Sequence, residues 1–283
     1  MYFTDILEEK ESDCMIPIEE KLKLFKDNKV VNWHEHVWPN DKGELDEKEC
    51  DLLVESASRT HMDILVCSSP ITRGNPSPDI IRKYNDFVSK AMRRHKGIIK
   101  GFAFINPGYV KEALYEIDRC MNDLGMIGIK LYNQYFISDP VVRSVIEKSI
   151  ELDIPILEHA GKLNFQPQNQ PFVSDGTHFA KISPEYPEAV IIEAHIGGGG
   201  DWQWSLKAIA DSPNIFTDTS GSICDEGLME STVEYLGVDR MLFGTDGSIS
   251  AGVGKVLNAD ISMQDKVKIL NNTKFERYLE RGY

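Results

Sequence analysis

Two histidines in one short apolar run, V-V-N-W-H-E-H-V-W at positions 30–38, are the residues best suited to chemistry. His34 and His36 are spaced i, i+2, and in an extended strand this spacing sends both side chains to the same face. A buried strand has little structural use for two imidazoles, because each ring needs polar partners. Two converging imidazoles instead begin a divalent metal site, for which zinc is the commonest occupant. Taken alone, an H-x-H pair also fits a hydrogen-bonded histidine pair on a surface strand.

Three further residues with metal-binding or acid–base side chains stand at the ends of later apolar runs. His159 ends the run 154–161, His195 the run 189–198, and Asp246 the run 240–247. In a parallel α/β barrel, side chains at the carboxyl ends of the strands meet at one rim. If these runs are barrel strands, the sequence predicts a divalent metal site at that rim.

The elements that must position these residues recur along the chain. Eight short runs rich in Val, Ile and Phe alternate with stretches that carry apolar residues at helical spacing. Such units, without a low-complexity linker, favour one (β/α)8 TIM barrel over a doubly wound sheet. Residues 162–187 are predicted to form a long loop and then a short helix. The predicted strands are 30–38, 63–69, 98–106, 126–132, 154–161, 189–198, 214–221 and 240–247, and the predicted helices are 45–60, 78–94, 110–124, 140–153, 201–210 and 225–236.

Length and charge set the outer bounds of the interpretation. The 283 residues, 41% of them apolar, suffice for one large barrel, and we expect a single domain over 1–283. Residues 1–29 are predicted to be a polar prelude with a short helix that carries Ile18, Leu22 and Phe25. The formal net charge of −14 disfavours nucleic acid and anionic membranes as partners. We expect a small-molecule substrate, anionic in character, and a homodimer is an open possibility.

Cysteine usage and the N-terminal residues indicate a compartment. The five cysteines are scattered and form no C-x-x-C pair, which suits a reducing environment. The first ten residues are acidic where a signal peptide is basic and apolar, and no apolar run is long enough to span a membrane. We therefore expect a cytoplasmic protein.

Four motifs at the strand ends resemble those of the amidohydrolase superfamily. They are H-E-H on the first strand, E-H-A-G on the fifth, A-H-I-G-G on the sixth and L-F-G-T-D on the eighth. The closest resemblance is to the amidohydrolase-2 branch, which includes the aminocarboxymuconate-semialdehyde decarboxylase-like enzymes. It implies a distorted TIM barrel with a single divalent metal ion, usually zinc. By this resemblance His34, His36 and His159 are metal ligands, Asp246 is a ligand or a base beside the metal, and His195 is a catalytic group close to it.

The sequence departs from the family pattern at two places. An aspartate commonly stands two residues before the first histidine, and here that position holds Asn32. The G-T-D motif is often followed by an aromatic residue and proline, but here Gly247, Ser248 and Ile249 follow. The loop over that side of the site therefore differs from the usual one.

These residues support two kinds of reaction. A bound zinc ion lowers the pKa of its water toward neutrality. Asp246 can take the proton of that water, and His195 can polarise a substrate carbonyl. The set then hydrolyses an amide, lactone or ester of a small organic acid, which is our main prediction. With a carboxylated substrate, the same residues support non-oxidative decarboxylation of an aromatic or unsaturated acid, which is the first alternative. A metal-binding protein without turnover is the second alternative.

Three more residues are predicted to contact the substrate. Lys130, at the end of the fourth strand, corresponds in binuclear relatives to a carbamylated lysine that bridges two metals. We prefer an ammonium that pairs with a rim carboxylate or a substrate anion. Tyr132 could line the same pocket, and Arg73 could clamp a carboxylate bidentately, although a solvated loop arginine fits equally well. A TatD-like nuclease shares H-x-H but needs a glutamate in the fourth-strand region, where this chain has Lys130.

Overall fold

Eight parallel strands form one sheet whose order follows the sequence, and this confirms the predicted TIM barrel. The computed structural model describes residues 18–161 and 170–281. Backbone hydrogen bonds close the seam between the last strand and the first: Trp33 N donates to Phe243 O, and Asp246 N donates to His34 O, each at 2.8 Å. The strands are β1 (Val31–His36), β2 (Ile64–Ser68), β3 (Ile99–Phe104), β4 (Gly128–Leu131), β5 (Ile156–Glu158), β6 (Ile191–Glu193), β7 (Ile215–Asp218) and β8 (Met241–Leu242).

Helices follow the strands, close to the predicted positions. A 3-10 turn at Pro140–Val142 opens the predicted helix 140–153, and the segment 162–187 contains a short helix as expected. Residues 1–17 of the prelude and 162–169 of the long loop lie outside the described residues. Among the described helices, none has the length and apolar character needed to cross a membrane. The helices are α1 (Ile18–Lys26), α2 (Glu47–Arg59), α3 (Pro78–Arg94), α4 (Val110–Asn122), α5 (Arg143–Leu152), α6 (Gly176–Ile182), α7 (Trp202–Ile209), α8 (Leu228–Leu236), α9 (Ile249–Asn258), α10 (Met263–Leu270) and α11 (Glu276–Leu279).

The barrel interior is a packed aromatic and aliphatic cluster. Val31, Leu157 and Ile192 lie in it together with Phe275 and residues of α11, the last helix. The Trp33 and Phe275 rings meet edge to face with centroids 5.2 Å apart. A second, larger core lies between the barrel and the surrounding helices. Because the C-terminal residues fill the interior, polar side chains gather at the opposite end, where the strands finish.

A bulge in β1 decides which way its histidines face. Val31 and Trp33 both belong to the interior cluster, so strict alternation from them would turn His34 outward. The register of β1 against β2 shifts between Asn32 and Glu35, as in a β-bulge. After this shift His34 reaches residues at the ends of other strands. The i, i+2 spacing therefore works as predicted, but through an irregularity that the sequence did not show.

Two buried carboxyl groups stand side by side on the outer surface of the barrel. Glu158 on β5 pairs in register with Glu193 on β6, and both are fully buried. Glu158 accepts a hydrogen bond from Ser174 Oγ at 3.0 Å, on the side facing away from the barrel centre, as expected from alternation. Burial raises the pKa of Glu193 to about 8, only partly opposed by a weak contact with the Ser205 hydroxyl.

The raised pKa of Glu193 makes stability depend on pH. Because the folded-state pKa of about 8 exceeds the ordinary value of 4.5, the folded protein holds this proton more tightly than the unfolded chain does. The stabilising contribution is therefore complete below pH 4.5 and is lost as pH rises towards about 8. Glu193→Gln should flatten this decline and raise the free energy of unfolding at pH 8 relative to the unmodified protein. Urea unfolding between pH 5 and 8.5 measures the free energy of unfolding, with the exposed Glu55→Gln as control. If Glu193→Gln changes this free energy by the same amount at pH 5 as at pH 8.5, the prediction is contradicted.

Candidate metal centre

The strand ends bring the predicted site residues together at one rim. His34 and His36 come from β1, while His159 follows β5 directly. His195 and Asp246 lie on the turns after β6 and β8, and both adopt the left-handed backbone region, with φ of 67° and 47°. Non-glycine residues rarely adopt this region, and such strain concentrates at functional sites. The turns thus aim two side chains that regular strands would direct elsewhere.

Three donor atoms converge as a metal site requires. His36 Nε2 lies 2.9 Å from Asp246 Oδ1, and His34 Nε2 lies 3.8 Å from the same oxygen. Possible ligand atoms of these residues all lie within 4.8 Å of one another. Two imidazoles and a carboxylate are a fitting donor set for one divalent ion.

A second cluster shares His34 but is less suited to a metal ion. His34, His195 and Asp218 also bring donor atoms within 4.8 Å of one another. Here, however, Asp218 Oδ1 accepts hydrogen bonds from Ser220 N at 2.9 Å, from the Ser220 hydroxyl and from His195 N at 3.3 Å. The Asp218 carboxylate therefore already has several protein hydrogen-bond donors.

Hydrogen bonds of two predicted histidine ligands place the ring proton on Nδ1. His34 Nδ1 donates to Asp218 Oδ2 at 2.9 Å, whereas His36 Nδ1 lies 3.0 Å from Ser68 Oγ and its Nε2 lies 2.9 Å from Asp246 Oδ1. The Nδ1 atom of His159 lies 3.1 Å from His195 Nε2 and is the donor of that pair. His34 and His159 thus each keep the lone pair on Nε2, the arrangement that partners of metal-binding histidines usually impose. His159 nevertheless lies outside the three-donor group, so its role as a ligand stays a prediction.

His195 has both ring nitrogens engaged with protein groups. Its Nδ1 donates to Ser220 Oγ at 2.8 Å, while the Ser220 hydroxyl donates to Asp218 Oδ1. Its Nε2 accepts from His159 and lies 3.8 Å from Asp246 Oδ2. Burial lowers the pKa of His195 to about 3, so the ring is neutral near pH 7. His195 thus lies beside the donor group of His34, His36 and Asp246, and its catalytic role stays a prediction.

Asp218 and Ser220 are structural partners of the centre that the sequence indicated only weakly. Burial opposes the charge on Asp218, but the attraction of His34 and its hydrogen bond outweigh burial, so the pKa lies below its ordinary value. Asp218 is the last residue of β7 and contacts His34. Ser220 was not predicted; its signal is the T-D-T-S-G sequence at the end of the seventh strand.

Lys130 and Tyr132 lie next to the predicted histidine ligands His34 and His159. Lys130 is fully buried, and its Nζ donates to His34 Nε2 at 3.0 Å, a hydrogen bond that coordination of a metal ion by this nitrogen would replace. Burial lowers the pKa of Lys130 to about 8, although Asp246 and Asp218 oppose the shift. The Tyr132 ring stacks on His159 with centroids 4.1 Å apart. Their role in contacting a substrate stays a prediction.

Asn32 joins the first strand to the segment that carries Asp246. Its Nδ2 donates to Thr245 Oγ1 at 2.8 Å and to Glu35 Oε1 at 3.1 Å. Its Oδ1 accepts from the backbone N of His34 and of Thr245, each at 3.2 Å. A carboxylate could accept but could not donate. The amide therefore suits this position in place of the usual aspartate.

The centre opens beside the unusual loop after the eighth strand. The Asp246 side chain is 29% exposed, against 1% for His34. A groove of about 760 Å3 leads to it, lined by His36, Trp38, the 247–249 loop and residues of α2 such as Leu52. This loop thus forms one wall of the approach to the metal centre.

Arg73 is not among the residues that the structure brings together. It is exposed on the loop between β2 and α3, which Gln134 Nε2 holds by donating to Ile71 O at 3.0 Å. No contact joins Arg73 to the centre within the described part of the chain. Its role as a carboxylate clamp stays a prediction.

Comparison with known proteins identifies the family. Residues 31–253 match the amidohydrolase family of the amidohydrolase-2 branch. The chain belongs to this family. A sequence search of curated proteins found none that matches this amidohydrolase. Its membership makes it an enzyme of the amidohydrolase superfamily, and its donor set supports a single divalent metal ion.

Solved structures share the fold of this amidohydrolase at low identity. The 2,6-dihydroxybenzoate decarboxylase from Rhizobium is 18% identical, with a TM-score of 0.71 over 89% of this chain and 99% of that one. A dihydroxybenzoic acid decarboxylase from a Polaromonas species, with bound manganese and 2-nitroresorcinol, is 19% identical, with a TM-score of 0.69 over 89% and 97%. The 4-oxalomesaconate hydratase from Rhodopseudomonas palustris is 16% identical, with a TM-score of 0.65 over 88% and 95%.

Proposed function

We propose that this amidohydrolase is a metal-dependent, non-oxidative decarboxylase of an aromatic or unsaturated acid. This reverses the order of our sequence predictions, which put hydrolysis first. The observation that carries the proposal is the buried cation Lys130 beside the stacked Tyr132 and His159 rings, in a site that opens at Asp246. A positive charge favours an anionic substrate, and a flat aromatic wall favours a planar one. That several structures of the same fold are decarboxylases of aromatic acids supports it.

The metal ion would be held by His34, His36 and Asp246, with His159 as the predicted fourth ligand. Such an ion supplies positive charge that orients the substrate and stabilises the negative charge developing on it. Zinc is our prediction from the sequence, and manganese is bound in the Polaromonas decarboxylase. Metal analysis of the protein as purified distinguishes the two.

The protein groups would move one proton. The substrate carbon that bears the carboxylate takes a proton, the carbon–carbon bond to the carboxylate breaks, and carbon dioxide leaves. The electron pair of the broken bond stays with the substrate, so one proton is consumed for each carbon dioxide released. Asp246 is the proton carrier in this proposal, because its carboxyl group is the exposed one. His195 Nε2 lies 3.8 Å from Asp246 Oδ2, beyond hydrogen-bond distance, so a proton would pass between them once the two side chains move closer.

Hydrolysis is the second candidate, favoured by the exposure of Asp246 beside both His34 and His36. A carboxylate in that place can take a proton from an attacking water as well as deliver one to carbon. The residues of the centre serve both reactions, so the product decides between them.

Release of labelled carbon dioxide tests the proposal. The protein, loaded in turn with Mn²⁺ and Zn²⁺, is incubated with carboxyl-¹³C hydroxybenzoates, including 2,6-dihydroxybenzoate, and with a panel of lactones, esters and amides. We expect ¹³CO₂ from at least one aromatic acid, and none from metal-free protein or from the His34→Ala variant. Hydrolysis of a lactone, ester or amide without carbon dioxide release would establish the second candidate. Metal binding without turnover of any compound would contradict both.

A further inference from the structure

A buried lysine on α9 is bound to the backbone directly behind the metal centre. Lys255 is only 9% exposed, and its Nζ donates to the carbonyl oxygens of Thr219 at 3.0 Å, Ser220 at 3.0 Å and Gly221 at 2.8 Å. An ammonium group has three donors, so these bonds use all of them. The lysine therefore ties three successive residues after β7 to one point of helix α9.

The segment 219–221 is in direct contact with His195. Ser220 Oγ accepts the hydrogen bond from His195 Nδ1 at 2.8 Å. Gly221 has a φ of +83°, and a Cβ added there would lie 2.8 Å from His195 Cβ and 3.1 Å from its Cγ. The backbone at Gly221 thus packs against the imidazole, with no room for a side chain. A shift of this segment would move both the hydrogen-bond partner and the packing surface of the ring.

The same segment also reaches the metal-binding side of the centre. The Ser220 hydroxyl lies 3.1 Å from His34 Nδ1 and donates to Asp218 Oδ1. Residues 218–221 therefore fix the orientation of two rings at once. What holds these residues in place also determines the geometry of the centre.

We propose that Lys255 is a positioning residue: its ammonium holds residues 219–221 so that Ser220 and Gly221 fix the His195 ring as the Nδ1–H tautomer. The ring then keeps the Nε2 lone pair that faces His159 and Asp246. Lys255 touches none of the groups proposed to react. The expected loss of turnover rests on the proposed function, whereas the effect on the His195 ring does not.

A merely structural role is the competing explanation, and the chain offers a matched control. Lys266 on α10 is also 9% exposed, and its Nζ donates to Leu257 O at 3.0 Å, a carbonyl on α9 rather than at the end of β7. Removing either ammonium leaves buried carbonyls without that donor, which should destabilise the protein in both cases. Only the Lys255 substitution should alter His195.

The experiment compares Lys255→Met, Lys255→Gln and Lys266→Met by NMR of ¹⁵N-histidine-labelled protein, metal-free and loaded with diamagnetic Zn²⁺. The His195 signals are assigned with a His195→Gln variant. We expect the Nδ1–H signal of His195 to shift or vanish in Lys255→Met, and less so in Lys255→Gln, whose amide can still donate. It should stay unchanged in Lys266→Met. Should the methionine variant fail to fold, Lys255→Gln carries the comparison.

Turnover gives the second readout. With a substrate from the carbon dioxide assay, kcat of Lys255→Met should fall about tenfold or more with little change in KM, in the range seen when groups behind metal ligands are lost. An unchanged His195 spectrum in both Lys255 variants would overturn the proposal, and so would an equal change in Lys266→Met. Because the spectrum needs no substrate, failure of the decarboxylase proposal would leave this test intact.

Discussion

Replacing His195 with alanine should lower kcat by about 10²–10⁴-fold, the usual contribution of a positioned acid–base group, while one divalent metal ion per chain is still bound. The expected loss of turnover without loss of metal follows from the position of His195 beside the donor group. The ring is neutral, its Nδ1 donates to Ser220, and its Nε2 lies 3.8 Å from Asp246 Oδ2, outside the three-donor group. Its loss should therefore remove proton exchange with Asp246 without removing a ligand.

Steady-state kinetics and metal analysis of the dialysed variant check this result together. His178→Ala is the matched control, because His178 lies on α6, where it accepts a hydrogen bond from Asp175 N at 3.1 Å. The control should keep both kcat and metal. Loss of the metal from the His195 variant would show that His195 is itself a ligand, and unchanged kcat would remove it from the mechanism.

Replacing His34 with alanine should abolish metal binding and activity together. His34 contributes to the three-donor group, and the hydrogen bond of its Nδ1 to Asp218 directs Nε2 to the centre.

Asp218→Asn should give a graded effect, weakening metal affinity about 10–100-fold, as expected for loss of the group that orients a histidine ligand. Titration with Mn²⁺ followed by electron paramagnetic resonance measures both affinities. Full metal occupancy in the His34 variant would refute the ligand assignment.

The barrel could be predicted from the sequence because its signals are local and repeated. Each strand is a short apolar run, and each helix carries apolar residues at helical spacing, so eight repeats outweigh uncertainty at any one boundary. The rim residues followed from the fold, since the carboxyl ends of parallel barrel strands must meet. The structure does place the five predicted residues together at this rim, namely His34, His36, His159, His195 and Asp246.

What the sequence did not show are local departures from regular geometry. Alternation cannot reveal the bulge between Asn32 and Glu35, because a bulge depends on how β1 pairs with β2. The left-handed backbone at His195, with a φ of 67°, likewise cannot be read from the alternation of a strand. Ser220 could not be connected to His195 because the pair is separated by 25 positions and meets only through folding.

The question raised by Asn32 also needed the structure. From the sequence it stood where an aspartate was expected, without an explanation. In the fold it donates to Thr245 and accepts from the His34 backbone, so both ends of the amide are used. A side chain that only accepts could keep the bonds from the two backbone N–H groups but could not donate to Glu35 Oε1 or Thr245 Oγ1.

Anomalous diffraction from crystals grown with Mn²⁺ is the most direct measurement of the central claim, a single metal ion at the rim. We predict one peak per chain, within coordination distance of His34 Nε2, His36 Nε2 and an Asp246 carboxylate oxygen. A peak among His34 Nδ1, His195 and Asp218, two peaks, or no peak at this rim would contradict the account.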